Sequence, residues 1–155
     1  MTRNSRLIVS DSTLTHRIKI KVRFSEVDSM RVVWHGVYVK YFEDGREAFG
    51  REFGGLNYDT IESDGYYIPI VKLELDYKIP LKCGDTAIVE TKFINSRAAK
   101  ILFEYVIYRE SDMAVAATGR SMQVFTHADT GELERNTPQC FTDWKKRWNI
   151  EKSHI

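Results

Sequence analysis

One long helical repeat, with strand-like segments before and after it, most constrains the fold of this chain. Apolar residues and one glycine recur at spacings of three and four along it: Tyr38, Phe42, Gly45, Phe49 and Phe53. This period predicts an amphipathic helix of roughly 16–18 residues that begins near Gly36 and ends before Gly54 and Gly55. A glycine inside a helix costs about 1 kcal/mol relative to alanine, so we expect a neighbouring backbone to pack closely against Gly45.

The other periodic segments alternate every two residues, which is the period of a half-buried β-strand. In the first, residues 17–24, the side chains predicted to face the core are Ile18, Ile20, Val22 and Phe24. Four more strands are predicted after the helix, at residues 71–78, 86–94, 100–109 and 114–127. Their connections are short, which indicates antiparallel neighbours, because a parallel crossover needs a dozen or more residues.

The order of these elements predicts an α+β fold in which one five-stranded antiparallel sheet wraps around one long helix. A short C-terminal helix is predicted at residues 137–149, with Thr137 as its N-cap and Pro138 as its first residue. Residues 1–15 are expected to form a polar arm, and residues 1–155 a single domain. The uncovered face and edges of the sheet need a partner, so we expect self-association.

Composition and charge narrow the function classes. The chain is 43% hydrophobic with a net charge of +1, which indicates an ordinary globular protein and gives no electrostatic support for nucleic-acid binding. Its apolar runs are too short for membrane insertion and its N-terminus resembles no secretory leader, so a cytoplasmic protein is expected. Cys83 and Cys140 suggest neither a disulfide nor a metal site, and the four histidines are scattered, so no metal or cofactor is expected.

The segment between the first strand and the helix holds the best candidates for chemistry. Asp28 falls where the strand should end, and His35 comes directly before the helix start. The first amides of a helix lack intrahelical acceptors and carry a partial positive charge, and residues 33–38 contain none of the usual N-cap side chains. These amides could receive an acyl carbonyl oxygen, with Gly36 allowing close approach. Candidates for an apolar wall around such a substrate are Trp34, Tyr38 and Tyr41.

A carboxylate at this position could attack an activated acyl group directly or deprotonate a water molecule. Either route suits a thioester, because a thiol with a pKa near ~8.5 leaves without a strong general acid. The residues alone leave plainer interpretations open. Asp28 is of a type common in turns and caps, His35 of a type common in structural hydrogen bonds, and Arg97 and Lys100 are ordinary surface charges of a strand connection.

The segment resembles the 4-hydroxybenzoyl-CoA thioesterase-like group of the hotdog superfamily, which includes the acyl-CoA thioesterases of the Tol-Pal cluster. In that group a strand reading R-[VI]-x-[YF] leads to an acid, and the helix reads Y-[LV]-x-[YF]-[FY]-E-x-[AG]-R. Here Val22-Arg23-Phe24 leads to Asp28, and residues 38–46 read YVKYFEDGR. The likeness spans about residues 17–128 and is strongest over residues 22–47.

The resemblance implies a hotdog fold and active sites at the interfaces of a homodimer or homotetramer, with coenzyme A lying along the boundary as part of the substrate. Asp28 matches the catalytic carboxylate, as nucleophile or general base, and His35 matches the position whose backbone amide polarises the thioester carbonyl. Arg97 and Lys100 are candidates for contacts with the CoA phosphates. The group commonly has glycine two or three residues after the acid, where this chain has Met30 and Arg31. The Arg31 side chain could seat phosphopantetheine or an acidic acyl group, or could crowd out a familiar substrate.

We therefore expect a thioesterase that acts on acyl-CoA or on an acyl carrier protein. The alternative is a non-catalytic acyl-CoA-binding protein or assembly subunit that uses the same groove. A hydratase of the same fold fits less well, because an acid placed before the helix is better suited to hydrolysis, and this choice rests on family analogy.

Overall fold

The computed structural model describes residues 14–150. The strands are β1 Thr15–Lys21, β2 Tyr66–Tyr67, β3 Ile70–Tyr77, β4 Thr86–Ile94, β5 Lys100–Arg109, β6 Ala114–His127 and β7 Leu133–Glu134. The α-helices are α1 Val37–Glu52, α2 Tyr58–Ser63 and α3 Gln139–Arg147, and Phe24–Glu26 forms one turn of 3-10 helix. The predicted N-terminal arm lies outside the described residues, except that Thr15 already begins β1.

The sheet has the strand order β1-β4-β5-β6-β3, with every pair antiparallel, and the short strands β2 and β7 also pair with β6. The antiparallel prediction is therefore confirmed, and the predicted bounds of β4, β5 and β6 agree with the structure. In β5 every second residue is buried on the side of α1, as the period of two requires.

Helix α1 packs against the concave face of this sheet. The predicted stripe is confirmed, because Tyr38, Phe42 and Phe49 are buried and the ring of Phe42 stacks on that of Tyr105 in β5, 4.4 Å between centroids. The close approach at Gly45 is also present. A Cβ atom there would lie 2.5 Å from Thr91 Oγ1 and 2.9 Å from Val89 Cγ1, so the neighbours are side chains of β4 rather than a backbone.

Strand β1 ends earlier than predicted, and this changes the environment of Phe24. The chain leaves the sheet after Lys21, and the Glu26 carboxylate accepts a hydrogen bond from Arg23 N–H, which starts the 3-10 turn. Phe24 is therefore 83% exposed instead of facing the core. The period of two was correct for the strand but does not show where the strand ends.

Two further differences from the prediction concern helices. No element was predicted between the long helix and residue 71, whereas helix α2 forms there, and Asn57 caps it by accepting a hydrogen bond from Thr60 N–H. At the C-terminus, α3 begins at Gln139, and Pro138 is its N-cap because its ψ of 150° is extended rather than helical. One face of α3 is apolar, and its residues Phe141 and Trp144 are buried against the core.

The edge strand β3 pairs with β6 and is exposed over nearly its whole length. Its apolar residues face solvent in the single chain: Ile70, Val71, Leu73 and Tyr77. An edge of this kind presents free backbone donors and acceptors beside apolar side chains, which is the pattern that pairs readily with another strand. No helix within residues 14–150 is long and apolar enough to cross a membrane.

Candidate active site

Asp28 lies at the tip of a tight hairpin that leads directly into α1. Trp34 N–H donates to Glu26 O at 2.9 Å, Val27 pairs with Val33, and Asp28 N–H donates to Val32 O at 2.8 Å. Val32 lies opposite Asp28, and Gly36, four residues later, caps the helix. Four residues of extended chain span at most ~13 Å, so one short segment holds both the acid and the helix start.

The Asp28 side chain takes part in this turn, as the plainer interpretation of the sequence allowed. Its Oδ1 accepts hydrogen bonds from Met30 N–H at 2.8 Å and, more weakly, from Val32 N–H at 3.4 Å. The residue is half-buried. These contacts fix the orientation of the carboxylate, and both use the same oxygen.

Arg31 closes the turn in a conformation that favours glycine. Its N–H donates to Asp28 O at 2.9 Å, and its φ angle of 66° lies in the left-handed region. A three-residue hairpin loop usually places a residue in this region just after a type I turn, and glycine adopts it without strain. Of the two residues that replace the expected glycine, Arg31 is therefore the one whose backbone conformation disfavours a side chain.

The start of α1 is capped by Gly36, which contributes no side chain to the helix end. Val37 N–H donates to Trp34 O at 2.9 Å. The His35 imidazole is exposed, and the His35 carbonyl accepts a hydrogen bond of 2.7 Å from the Tyr77 hydroxyl of β3. Burial raises the pKa of Tyr77, which keeps this hydroxyl a donor. No signal in the sequence indicates this link between β3 and the helix start.

Trp34 is half exposed and lies over the helix start. Its ring contacts that of His35, with 4.7 Å between centroids, and it would collide with a Cβ atom placed on Gly36. Trp34 is therefore positioned to contact a group held at the helix start, as predicted for an apolar wall. Its role as such a wall stays a prediction.

Tyr38 and Tyr41 belong to the core rather than to a surface that a ligand can reach in this chain. Their exposed fractions are 3% and 1%. The Tyr38 hydroxyl accepts a hydrogen bond from Leu81 N–H, and the Tyr41 hydroxyl donates to Glu26 Oε1 at 2.9 Å. Burial and the Glu26 carboxylate raise the pKa of Tyr41. Glu26 thus joins the hairpin to α1, a role that sequence reasoning missed.

Arg97 and Lys100 are not near the other candidates within one chain. Both lie at the β4–β5 connection, where Lys145 of α3 donates to Ser96 O at 2.8 Å. The Asp28 hairpin contacts Leu81 and Lys82, before the opposite end of β4. The nine residues of β4, at ~3.3 Å per residue, separate the two regions. The structure therefore does not bring these two cations together with Asp28 and His35.

No cluster of three or more potential metal ligands occurs within residues 14–150. The segment from Asp28 to the start of α1 carries a carboxylate, backbone donors and an exposed aromatic surface. Such a set can polarise a carbonyl and deliver a nucleophile to it, which is the chemistry of acyl transfer to water.

Comparisons with known proteins agree with this chemistry. The sequence profile of the thioesterase-like superfamily matches residues 22–147, and the chain belongs to that superfamily. A Bacillus subtilis (strain 168) protein named "Putative acyl-CoA thioesterase YneP" is 35% identical over 101 residues, which are 64% of this chain and 72% of that protein. The chloroplastic acyl-acyl carrier protein thioesterase ATL3 of Arabidopsis thaliana is 33% identical over 61% of this chain, but this match spans 49% of the plant protein.

Among solved structures, the DHNA-CoA thioesterase of Staphylococcus aureus superposes with a TM-score of 0.76 at 26% identity, covering 87% of this chain and 89% of that one. The hotdog fold predicted from the sequence is confirmed, and the chain is a thioesterase. The finer assignment to the 4-hydroxybenzoyl-CoA and Tol-Pal group stays a prediction.

Proposed function

We propose that this thioesterase hydrolyses acyl groups attached to coenzyme A or to the phosphopantetheine of an acyl carrier protein, with Asp28 as the catalytic carboxylate. The observation that supports this most directly is the continuity of the site. The acid lies in a hairpin whose second arm runs straight into the start of α1, where no side chain caps the helix. The names of the similar proteins cover both thiol carriers.

In the reaction, the backbone N–H groups at His35 and Gly36 donate to the thioester carbonyl oxygen and stabilise the oxyanion that forms there. As a general base, Asp28 takes a proton from water while the water oxygen bonds to the carbonyl carbon. The tetrahedral intermediate then expels the thiolate, which recovers the proton held by Asp28. As a nucleophile, Asp28 would bond to the carbonyl carbon itself and expel the thiolate, which leaves a mixed anhydride. Water would then hydrolyse this anhydride to the free acid, restore the Asp28 carboxylate and supply the proton that the thiolate takes up.

We propose further that the chain works as a homo-oligomer built on β3. The strand is an open edge with apolar side chains exposed on it, and a second copy offers the same edge for two-fold pairing. Val71→Lys should convert the oligomer to a monomer in light scattering. A monomeric wild-type protein would contradict this proposal.

The central test is thiol release from a panel of short, long and aromatic acyl-CoA and acyl-carrier-protein thioesters. Asp28→Asn should lower kcat/KM by about 10²–10⁴-fold. Asp112→Asn is a matched control, because Asp112 Oδ1 also accepts from the N–H two residues later, that of Ala114 at 3.1 Å, in the β5–β6 turn. Equal activity of the two variants would remove Asp28 from the mechanism.

His35→Ala should cost less activity than Asp28→Asn, because the backbone amide survives the change.

One observation favours the alternative of a non-catalytic acyl-CoA binder, namely that the Asp28 carboxylate is already engaged in its own turn. Absence of thiol release from every member of the panel by wild-type protein, with retained binding, would support that alternative.

A further inference from the structure

Two adjoining cavities run along one side of α1 from its first turn. The outer cavity has a volume of about 550 Å³ and is lined by Val39, Glu43, Arg46, Tyr67, Ile70 and Leu73, among others. The inner cavity has a volume of about 570 Å³ and extends to Phe49, Leu56, Ile101, Phe103 and Gln123. Glu43, Arg46, Tyr58 and Ile68 line both cavities, so the cavities meet at these four residues. Each volume suits a small ligand.

Arg46 is the buried cation at this junction, and the proposed mechanism does not use it. Its side chain is 9% exposed, and its Nη1 donates to the Tyr105 hydroxyl at 3.0 Å. The nearest ion pair is weak, because Nη2 lies 3.9 Å from Glu43 Oε2 and the Glu43 side chain is 70% exposed. Buried charges are normally closely paired, since an unpaired one is expensive to desolvate.

The donor groups of Arg46 exceed the acceptors around them. A guanidinium has five N–H donors. Tyr105 and Tyr58 bring hydroxyls to it, and the Tyr105 hydroxyl also shares a hydrogen bond of 2.6 Å with Ser121. Because the side chain lines both cavities, its remaining donors are available to an oxygen of a molecule that occupies them.

The position of Arg46 on the helix sets how far this oxygen lies from the thioester. Nine residues separate Val37 from Arg46, a rise of ~13 Å, and arginine side chains in helices lean back toward the N-terminus. The start of α1 and the Arg46 guanidinium are therefore ~10 Å apart, a distance that about eight bonds of extended chain span. The outer cavity between these two points is apolar, since Val39, Ile70 and Leu73 line it.

We propose that the acyl group of the natural substrate bears a hydrogen-bond acceptor oxygen at its far end, about eight bonds from the thioester carbonyl, and that Arg46 binds this oxygen. The inference rests on the proposed thioesterase function, because the start of α1 fixes the carbonyl end. The acceptor is a terminal hydroxyl or a carboxylate, and the experiment separates the two. Exposed carboxylates of Asp44, Glu47 and Asp59 also line the inner cavity, where they favour the neutral hydroxyl.

The test measures equilibrium binding of three hydrolysis-resistant CoA thioethers by calorimetry: S-octyl, S-(ω-hydroxyoctyl) and S-(ω-carboxyheptyl). Wild-type protein should bind at least one oxygen-terminated thioether ~10-fold more tightly than the octyl compound. Arg46→Met should abolish that preference, and Arg46→Lys should keep part of it for the carboxylate. Arg17→Met is the matched control, since Arg17 lines neither cavity, pairs with Glu90 at 2.8 Å and has a side chain that is 50% exposed.

The relative affinities of the wild-type protein for the three thioethers test the inference even if the Arg46→Met variant does not fold. Equal affinity of the wild type for all three thioethers would overturn the inference, as would an Arg46→Met variant that weakens all three by one factor, which is the behaviour of a purely structural arginine. If the wild type prefers an oxygen-terminated thioether but does not hydrolyse the corresponding thioester, the proposed function is wrong, whereas the contact between Arg46 and the terminal oxygen is supported.

Discussion

Gly45→Ala tests how closely α1 packs on the sheet, because helix propensity and packing predict opposite signs for this change. The added Cβ would lie 2.5 Å from Thr91 Oγ1 and 2.9 Å from Val89 Cγ1. Both neighbours are fully buried β-branched residues of β4, and such side chains are stiff at χ1. The contact is therefore relieved mainly by moving the helix away from the sheet.

The expected loss follows from two opposing contributions. Overpacking a core position costs about 1–3 kcal/mol, whereas alanine improves helix propensity by about 1 kcal/mol. Two contacts below 3.0 Å with stiff neighbours place the overpacking cost at about 2–3 kcal/mol, so we expect Gly45→Ala to lower the free energy of unfolding by roughly 1–2 kcal/mol. For a chain of this length, each kcal/mol corresponds to a Tm lower by about 2–4 °C.

Urea denaturation followed by circular dichroism measures this change, at one fixed protein concentration because an oligomer gains apparent stability with concentration. In a Thr91→Ala background the closest contact is gone, so the same substitution should cost about 1 kcal/mol less. An unchanged or increased free energy of unfolding in Gly45→Ala would refute the packing argument and leave propensity as the dominant effect.

Two other predictions concern the helix start and acid stability. Tyr77→Phe removes the hydrogen bond to the His35 carbonyl and should lower kcat/KM for thiol release by roughly 3–10-fold; wild-type rates would show that this bond does not position the helix start. Hydrogen bonds from the Arg109 side chain and then from Ala114 N–H hold the pKa of Asp112 at about 2. Its contribution to stability is therefore present above about pH 4 and lost toward about pH 2. The difference in unfolding free energy between wild type and Asp112→Asn should shrink over that interval, and a pH-independent difference would contradict the assignment.

The sheet was predictable because its signals are local. Strands β4 to β6 follow one another through tight turns, and their period of two, broken at each turn, fixes their bounds. Phe24 was misplaced because alternation continues in the sequence for three residues after the chain has left the sheet. The chain leaves the sheet because Arg23 N–H and Val22 N–H donate hydrogen bonds to Glu26 and Asp85, and the alternation of apolar residues contains no information about these bonds.

The candidate site was predictable in its positions but not in its contacts. The acid and the helix start were found from the change of period between them, and Arg31 was noted only as a departure from a motif. Its left-handed backbone becomes visible only in the folded loop. From the sequence, Tyr38 and Tyr41 could belong either to the core or to a wall that contacts the substrate. Both side chains are buried in the structure, so they belong to the core. Arg46 stood within the quoted motif without a role, because its isolation among aromatic hydroxyls depends on β5 and β6.

The Tyr77 hydroxyl ties an exposed edge strand to the carbonyl of the residue that opens α1. In the proposed oligomer, quaternary contacts along that edge would consequently be transmitted by one hydrogen bond to the amides proposed to bind the reacting carbonyl. Dilution until the subunits separate should then lower kcat/KM by about 3–10-fold, as Tyr77→Phe does, while each chain remains folded. Specific activity would in that case report assembly.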